Sequence, residues 1–130
     1  MKILQIEDNE AIIDSFGTIL RFLGHEYEST MDGRKGVKMI TDGKYDLIFL
    51  DLTMPEFSGI DVLHELLNYH HSGKVVVITA NELESNQVNE LFELEVHSIM
   101  QKPISLESFS RLLKSFEPAE ISKQVSQLTQ

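Results

Sequence analysis

Four short polar stretches each stand at or just past the end of an apolar run. Glu7-Asp8 follow Lys2 to Ile6, Asp51 follows Leu47 to Leu50, Thr79 follows Val75 to Ile78, and Lys102-Pro103 follow Ser98 to Met100. Each residue alone is a weak signal, since an aspartate often does no more than end a strand or cap a turn. Gathered on one rim, the four make an inventory. Three carboxylates held together repel unless a positive charge joins them. A hard divalent cation suits them, and Mg²⁺ is held by one or two carboxylates with water or phosphate oxygens in its other positions. Lys102 adds a compact positive charge and Thr79 a hydroxyl. A carboxylate nucleophile, a cation, an ammonium and a hydroxyl around an anion-sized space are what phosphoryl transfer uses. Asp51 is the candidate acceptor, forming an acyl phosphate.

The elements that must bring these residues together are legible in the hydrophobic pattern. Leu47-Ile48-Phe49-Leu50 and Val75-Val76-Val77-Ile78 are apolar on both faces, as central strands of a parallel sheet are. Lys2–Ile6 reads as another strand, His25–Thr30 as a more polar edge strand, and Ser98–Met100 as a weak fifth. Between them run helical spacings. Ile12, Phe16, Ile19, Leu20 and Leu23 share a face, with Asn9 as N-cap and Gly24 at a C-cap that wants positive φ. Gly33 and Gly36 flank a short second helix carrying Val37, Met39 and Ile40 and closed by Asp42-Gly43. A third helix opens at Gly59 with Ile60, Leu63, Leu66 and Leu67 buried. The fourth, about 83–95, keeps Val88, Leu91, Phe92 and Leu94 for the core. Leu106, Phe109, Leu112, Leu113 and Phe116 mark the fifth.

Five strands alternating with five helices over short connections imply an α/β domain, a parallel sheet wound on both faces. In such sheets reacting groups lie beyond the carboxyl ends of the strands. The tail from Glu117 differs: Pro118 breaks the last helix, while Ile121, Val125 and Leu128 keep spacings of four and three. It is read as a frayed terminus rather than a helical extension or linker, so the expected organisation is a domain over 1–116 and a tail over 117–130.

Composition removes other classes. A chain of 130 residues with 42% hydrophobic and 25% charged residues is one soluble domain. Cysteine is absent, which excludes disulfides, thiol catalysis and thiolate metal sites. A net charge of −10 argues against binding nucleic acid through its phosphates. No apolar run approaches the roughly 20 residues that cross a bilayer, and Ile3–Ile6 is too short for a secretory signal; a cytoplasmic location is expected. His25, His64, His70, His71 and His97 lack a ligand pattern and are read as ordinary surface histidines, with His97 placed where a partner could touch it.

The motif residues are those of a known family. Glu7-Asp8, Asp51 with Met54-Pro55 and Gly59, Thr79-Ala80 and Lys102-Pro103 are spaced as in the receiver domain of two-component response regulators, which residues 1–116 resemble. The resemblance implies a (βα)5 flavodoxin-like sheet in the order 2-1-3-4-5 and a stand-alone, chemotaxis-regulator-like module. It implies phosphotransfer from a histidine kinase or histidine phosphotransfer protein to Asp51. Glu7, Asp8, Asp51 and the Thr53 backbone carbonyl would hold Mg²⁺, while Thr79 moves toward the phosphoryl group. Such a domain is not an enzyme beyond its own phosphorylation and dephosphorylation. The fourth helix, fifth strand and fifth helix would then rearrange for a downstream protein effector or a dimer partner, with Ile99 and Pro103 in the switch and output region.

Two positions depart from that family. Ile99 replaces the usual aromatic three residues before the lysine, and Glu95-Val96 replace the usual Gly-Ala, removing a glycine helix cap. A scaffold acting through its output face without phosphorylation is therefore the competing reading. An aspartate-nucleophile phosphatase would carry a second Asp where Thr53 stands. A flavodoxin-type cofactor binder would need phosphate-binding N–H groups where Glu7-Asp8-Asn9 present negative charge.

Overall fold

The computed structural model describes residues 1–116. The expected tail from Glu117 lies outside the described residues. The elements run β1 (Lys2–Ile6), α1 (Glu10–Phe22), β2 (Glu26–Thr30), α2 (Gly33–Asp42), β3 (Leu47–Asp51), α3 (Gly59–Leu66), β4 (Lys74–Thr79), α4 (Ser85–Glu93), β5 (Ser98–Gln101) and α5 (Leu106–Lys114). All strand pairings are parallel, in the order β2-β1-β3-β4-β5. The expected fold and strand order hold.

The pattern explains the topology. Leu47, Ile48, Phe49 and Leu50 are each fully buried, because β3 is the middle strand with helices on both faces. Alternate side chains feed two cores. On one face Leu4, Ile6, Ile48, Leu50, Val75 and Val77 pack with α2, α3 and α4 residues. On the other, Ile3, Leu47, Phe49, Val76 and Ile78 pack with α1 and α5. Phe16 of α1, Phe49 of β3 and Phe109 of α5 meet there with ring centroids 4.8 to 5.8 Å apart. Each such buried ring contributes roughly 1.5–3 kcal/mol, so both flanking helices are pinned to the sheet.

Caps set the helix starts. Asn9 accepts a hydrogen bond from the Ile12 N–H, and Ser58 and Asp61 cap α3 reciprocally. Gly24 follows α1 at φ 87°, as expected.

Some expectations need correction. Gly36 lies inside α2 rather than at its edge; a Cβ there would come within 2.5 Å of Ile6 Cδ1, so its bareness lets the helix sit on β1. Leu67 and Phe92, expected in the core, are 51% and 48% exposed, and Leu106, read as marking α5, is 42% exposed. Leu67 follows the last residue of a short helix, Leu106 begins α5, and α4 turns only Leu91 and the following Leu94 fully inward. Phe116 lies beyond α5, half-buried with its ring 4.8 Å from His97. His25 is buried, not on the surface, with Nδ1 2.9 Å from the Met1 amino nitrogen; burial pulls its pKa down.

Candidate functional site

The carboxyl ends of β1, β3, β4 and β5 form one rim, and each delivers its polar residue there. Asp51 is the last residue of β3 and pairs in register with Ile78, so Thr79 stands one step beyond it on the adjacent strand. Lys102 follows β5; its backbone N–H donates to the Thr79 carbonyl at 2.7 Å, locking that loop to the end of β4. The peptide bond from Lys102 to the exposed Pro103 is cis. Glu7 and Asp8 follow β1.

The structure brings together most of what the sequence nominates. One oxygen each of Glu7, Asp8 and Asp51 lies within 4.8 Å of the others. Lys102 Nζ sits 2.9 Å from Glu7 Oε1 and 3.7 Å from Asp51 Oδ2. Glu7 and Asp51 are 1% and 4% exposed, so these charges are largely out of water. Glu7 Oε1 is buried with the Lys102 ammonium as its charged partner and no further hydrogen bond. Glu7 Oε2 accepts a bond from the Asn9 N–H at 3.2 Å. Asp51 Oδ1 accepts one from the Thr53 N–H at 3.1 Å.

This charge balance marks Asp51. Burial first, and then a proton shared with Glu7, push its carboxyl up from the ordinary 3.8 to about 7. The Thr53 N–H and the Lys102 ammonium pull the other way. Three carboxylates against one lysine leave the rim short of positive charge. The donor set, all hard oxygen with one buried oxygen lacking a hydrogen bond, fits a hard divalent cation.

The loop after β3 turns tightly behind Asp51. Met54 is buried and anchors it, while Glu56 adopts φ 67°. Gly59 donates its N–H to the Leu52 carbonyl at 3.0 Å, and a Cβ there would fall 2.4 Å from the Asp51 carbonyl oxygen. Only glycine lets α3 start this close to the aspartate.

Sequence reasoning overlooked Asn81. Its N–H donates to Thr79 Oγ1 at 3.2 Å, and its Nδ2 reaches Thr53 Oγ1 at 3.5 Å, a long contact across the mouth of the site. The signal was modest: a turn-forming asparagine two residues past the end of β4. The histidines take no part, since the clustered ligand set among the described residues contains none. Ile99 pairs with Val77 and packs, half-buried, on the α2/α3/α4 core, so it faces inward. Glu95, which stands where the family's glycine was expected, adopts φ 67° and keeps the left-handed turn without it.

Comparison with known proteins extends the geometry. The chain is 28% identical over 119 residues to the aerobic respiration control sensor protein ArcB of Escherichia coli, covering 89% of this chain and 15% of that one. It is 30% identical over 115 residues to the transcriptional regulatory protein QseB of Haemophilus influenzae, covering 88% of this chain and 52% of that protein. The chain thus spans about half the length, or less, of these curated relatives. Among solved structures, the receiver domain of a sensor histidine kinase from Pseudomonas aeruginosa has a magnesium ion coordinated in its active-site cleft. It matches at a TM-score of 0.77 and 25% identity, over 88% of this chain and 95% of that one. The family model described as the response regulator receiver domain matches residues 3–125, a span that takes in the whole rim and, but for Lys2, all five strands. The chain therefore belongs to the family of response regulator receiver domains, signalling modules of two-component systems.

Proposed function

We propose that this domain accepts a phosphoryl group on Asp51 from the phosphohistidine of a histidine kinase or histidine phosphotransfer protein. The observation that carries this reading is the pairing of a buried strand-end carboxylate with Lys102 at 3.7 Å and two further acids within 4.8 Å. In the transfer, an Asp51 carboxylate oxygen forms a bond to phosphorus as the bond from phosphorus to the histidine nitrogen breaks. Mg²⁺, held by Glu7, Asp8, Asp51 and the Thr53 carbonyl, would supply positive charge to the phosphoryl oxygens. Lys102 contributes a second positive charge and Thr79 a hydroxyl toward the same group. Asp51 must be ionised to attack, and its cation-free carboxyl is pushed up to about 7. A cation bound by the ionised form shifts that balance toward the nucleophile.

The donor protein would seat beside Lys102. An apolar cleft of about 530 Å³, lined by Ile12, Phe16, Ala80, Pro103 and Ile104, opens beside Lys102. Phosphorylation adds about −1.5 to −2 charge to the rim. A conformer in which Thr79 and Lys102 close on that charge is then favoured over the resting one. The change would pass through α4, β5 and α5 to a protein effector or a second copy. Ile99 offers neither ring nor hydroxyl, so this chain would transmit it by repacking that face. The inward packing of Ile99 also supports a second reading, a scaffold that works through the α4–β5–α5 face without phosphorylation. Among the described residues no helix is long and apolar enough to cross a membrane, and action in the cytoplasm is part of the proposal.

Intact-mass spectrometry after Mg²⁺ and acetyl phosphate tests it, on wild type and Asp51→Asn. A phosphoryl adduct that needs Mg²⁺, is cleaved by hydroxylamine and is missing from the variant is expected. No adduct from acetyl phosphate or from kinases would favour the scaffold.

A further inference from the structure

Gln5 occupies the middle of β1, between β2 and β3, and is 1% exposed. Its register partner on β3 is Phe49, and Ile3 precedes it on the same face; both are fully buried hydrocarbon. An amide in such surroundings costs roughly 1–3 kcal/mol unless its atoms are bonded. Half of this one is. Gln5 Oε1 accepts a buried hydrogen bond from the Tyr27 hydroxyl on β2, and the same hydroxyl lies 3.2 Å from the Ile13 carbonyl of α1. Gln5 Nε2 has no partner.

The next residue on that face of β1 is Glu7, since side chains two apart on a strand point the same way. Its Oε1 is also buried without a hydrogen bond. A buried donor without a partner thus stands two residues along the same strand face from a buried carboxylate oxygen whose partner is the Lys102 ammonium. Tyr27 is close enough to sense the carboxylate: burial raises its phenol pKa, Arg21 opposes, and Asp14 and Glu7 raise it further.

We infer that Gln5, held in orientation by Tyr27, is a positioning residue for Glu7, its amide N–H₂ supporting the carboxylate that faces the cation. This rests on the Mg²⁺ role proposed above. Groups that support metal ligands from behind change metal affinity without touching the metal. Here the support would run from the β2 edge and α1 through Tyr27 and Gln5 to the rim.

Isothermal titration of the whole chain with MgCl₂ tests it, with urea unfolding in EDTA measured alongside. The variants are Gln5→Met, similar in length but without a donor, Tyr27→Phe, and the double variant. Gln5→Met should weaken Mg²⁺ binding by about tenfold, with cation-free stability equal to wild type or higher. Tyr27→Phe should weaken it in the same direction, and the double variant should bind no worse than Gln5→Met alone, as a shared pathway requires. Affinity of Gln5→Met within about twofold of wild type, or fully additive losses, overturns the role. Should Gln5→Met fail to fold, Tyr27→Phe decides alone, and unchanged affinity there is fatal. Wild type that binds no Mg²⁺ overturns the cation reading and this role with it. Wild type that binds while the variants match it overturns only the positioning role.

Discussion

Replacing Asp51 by asparagine should stabilise the cation-free protein, by an amount that grows with pH. Asp51 is 4% exposed beside Glu7, and its carboxyl is raised from 3.8 to about 7, mainly by burial. The sign follows from linkage: the folded state holds this proton more tightly than the unfolded chain. The stability it supplies is therefore complete below 3.8 and is lost as pH rises to about 7. About three pH units at about 1.36 kcal/mol each put the cost of the ionised, cation-free site at about 4 kcal/mol at pH 8. Asparagine keeps the shape and carries no charge, so its advantage should be about 4 kcal/mol at pH 8 and shrink toward zero near pH 4. The assay is urea unfolding in EDTA across that range, followed by far-UV circular dichroism because the chain has no tryptophan. Comparing the two proteins at each pH cancels the titration of the acids remote from Asp51, while Glu7, which shares its proton, remains part of the difference. Adding Mg²⁺ should stabilise wild type most at high pH and the variant far less. Parallel curves with a constant offset would show that Asp51 does not titrate in this window, and the burial argument would fail.

Asp8→Ala, at a half-buried position on the mouth of the site, should leave the unfolding curve within about 1 kcal/mol of wild type yet abolish Mg²⁺-dependent phosphorylation; an adduct of normal yield would remove Asp8 from the cation site. Lys102→Ala leaves two buried carboxylates without their cation and should cost about 3 kcal/mol in EDTA at pH 8, while acetyl phosphate still yields an adduct on Asp51. An unchanged urea midpoint would show that the 2.9 Å contact with Glu7 contributes nothing. Glu95→Gly should raise the urea midpoint by the equivalent of about 1 kcal/mol, because Glu95 holds φ 67° where glycine meets no Cβ clash. A lower midpoint would mean that the glutamate side chain outweighs its backbone strain.

The sequence was most readable where burial is two-sided. Leu47–Leu50 reads as an interior strand, and a carboxylate at the end of such a strand falls on the rim. Glu7, Asp8, Thr79 and Lys102 were found by the same logic, because a parallel sheet sends all its carboxyl ends to one side. Periodicity failed where a helix stops early: Leu67, Phe92 and Leu106 fit the apolar spacing but fall past, or at the edge of, the turns that touch the sheet. Asn81 escaped notice because an exposed loop residue shows its partner only when the chain has turned. Gln5 was read simply as part of a strand, since its bond to Tyr27 depends on the register of β1 with β2. The loss of the glycine at Glu95 was visible; that the backbone keeps the left-handed turn regardless was not.

That the rim draws its residues from four separate strands has a consequence for how the protein folds and opens. Glu7, Asp51, Thr79 and Lys102 meet only when β1, β3, β4 and β5 have all paired, and each parallel pairing closes a long loop. A partly folded form that lacks one of these strands has no complete rim. A cation held there stabilises the fully assembled sheet by mass action and does nothing for such intermediates. Binding should therefore slow the rare openings that break the sheet more than it slows fraying at the helix ends. In amide exchange, the central strands would gain the protection, in proportion to how fully the rim is loaded.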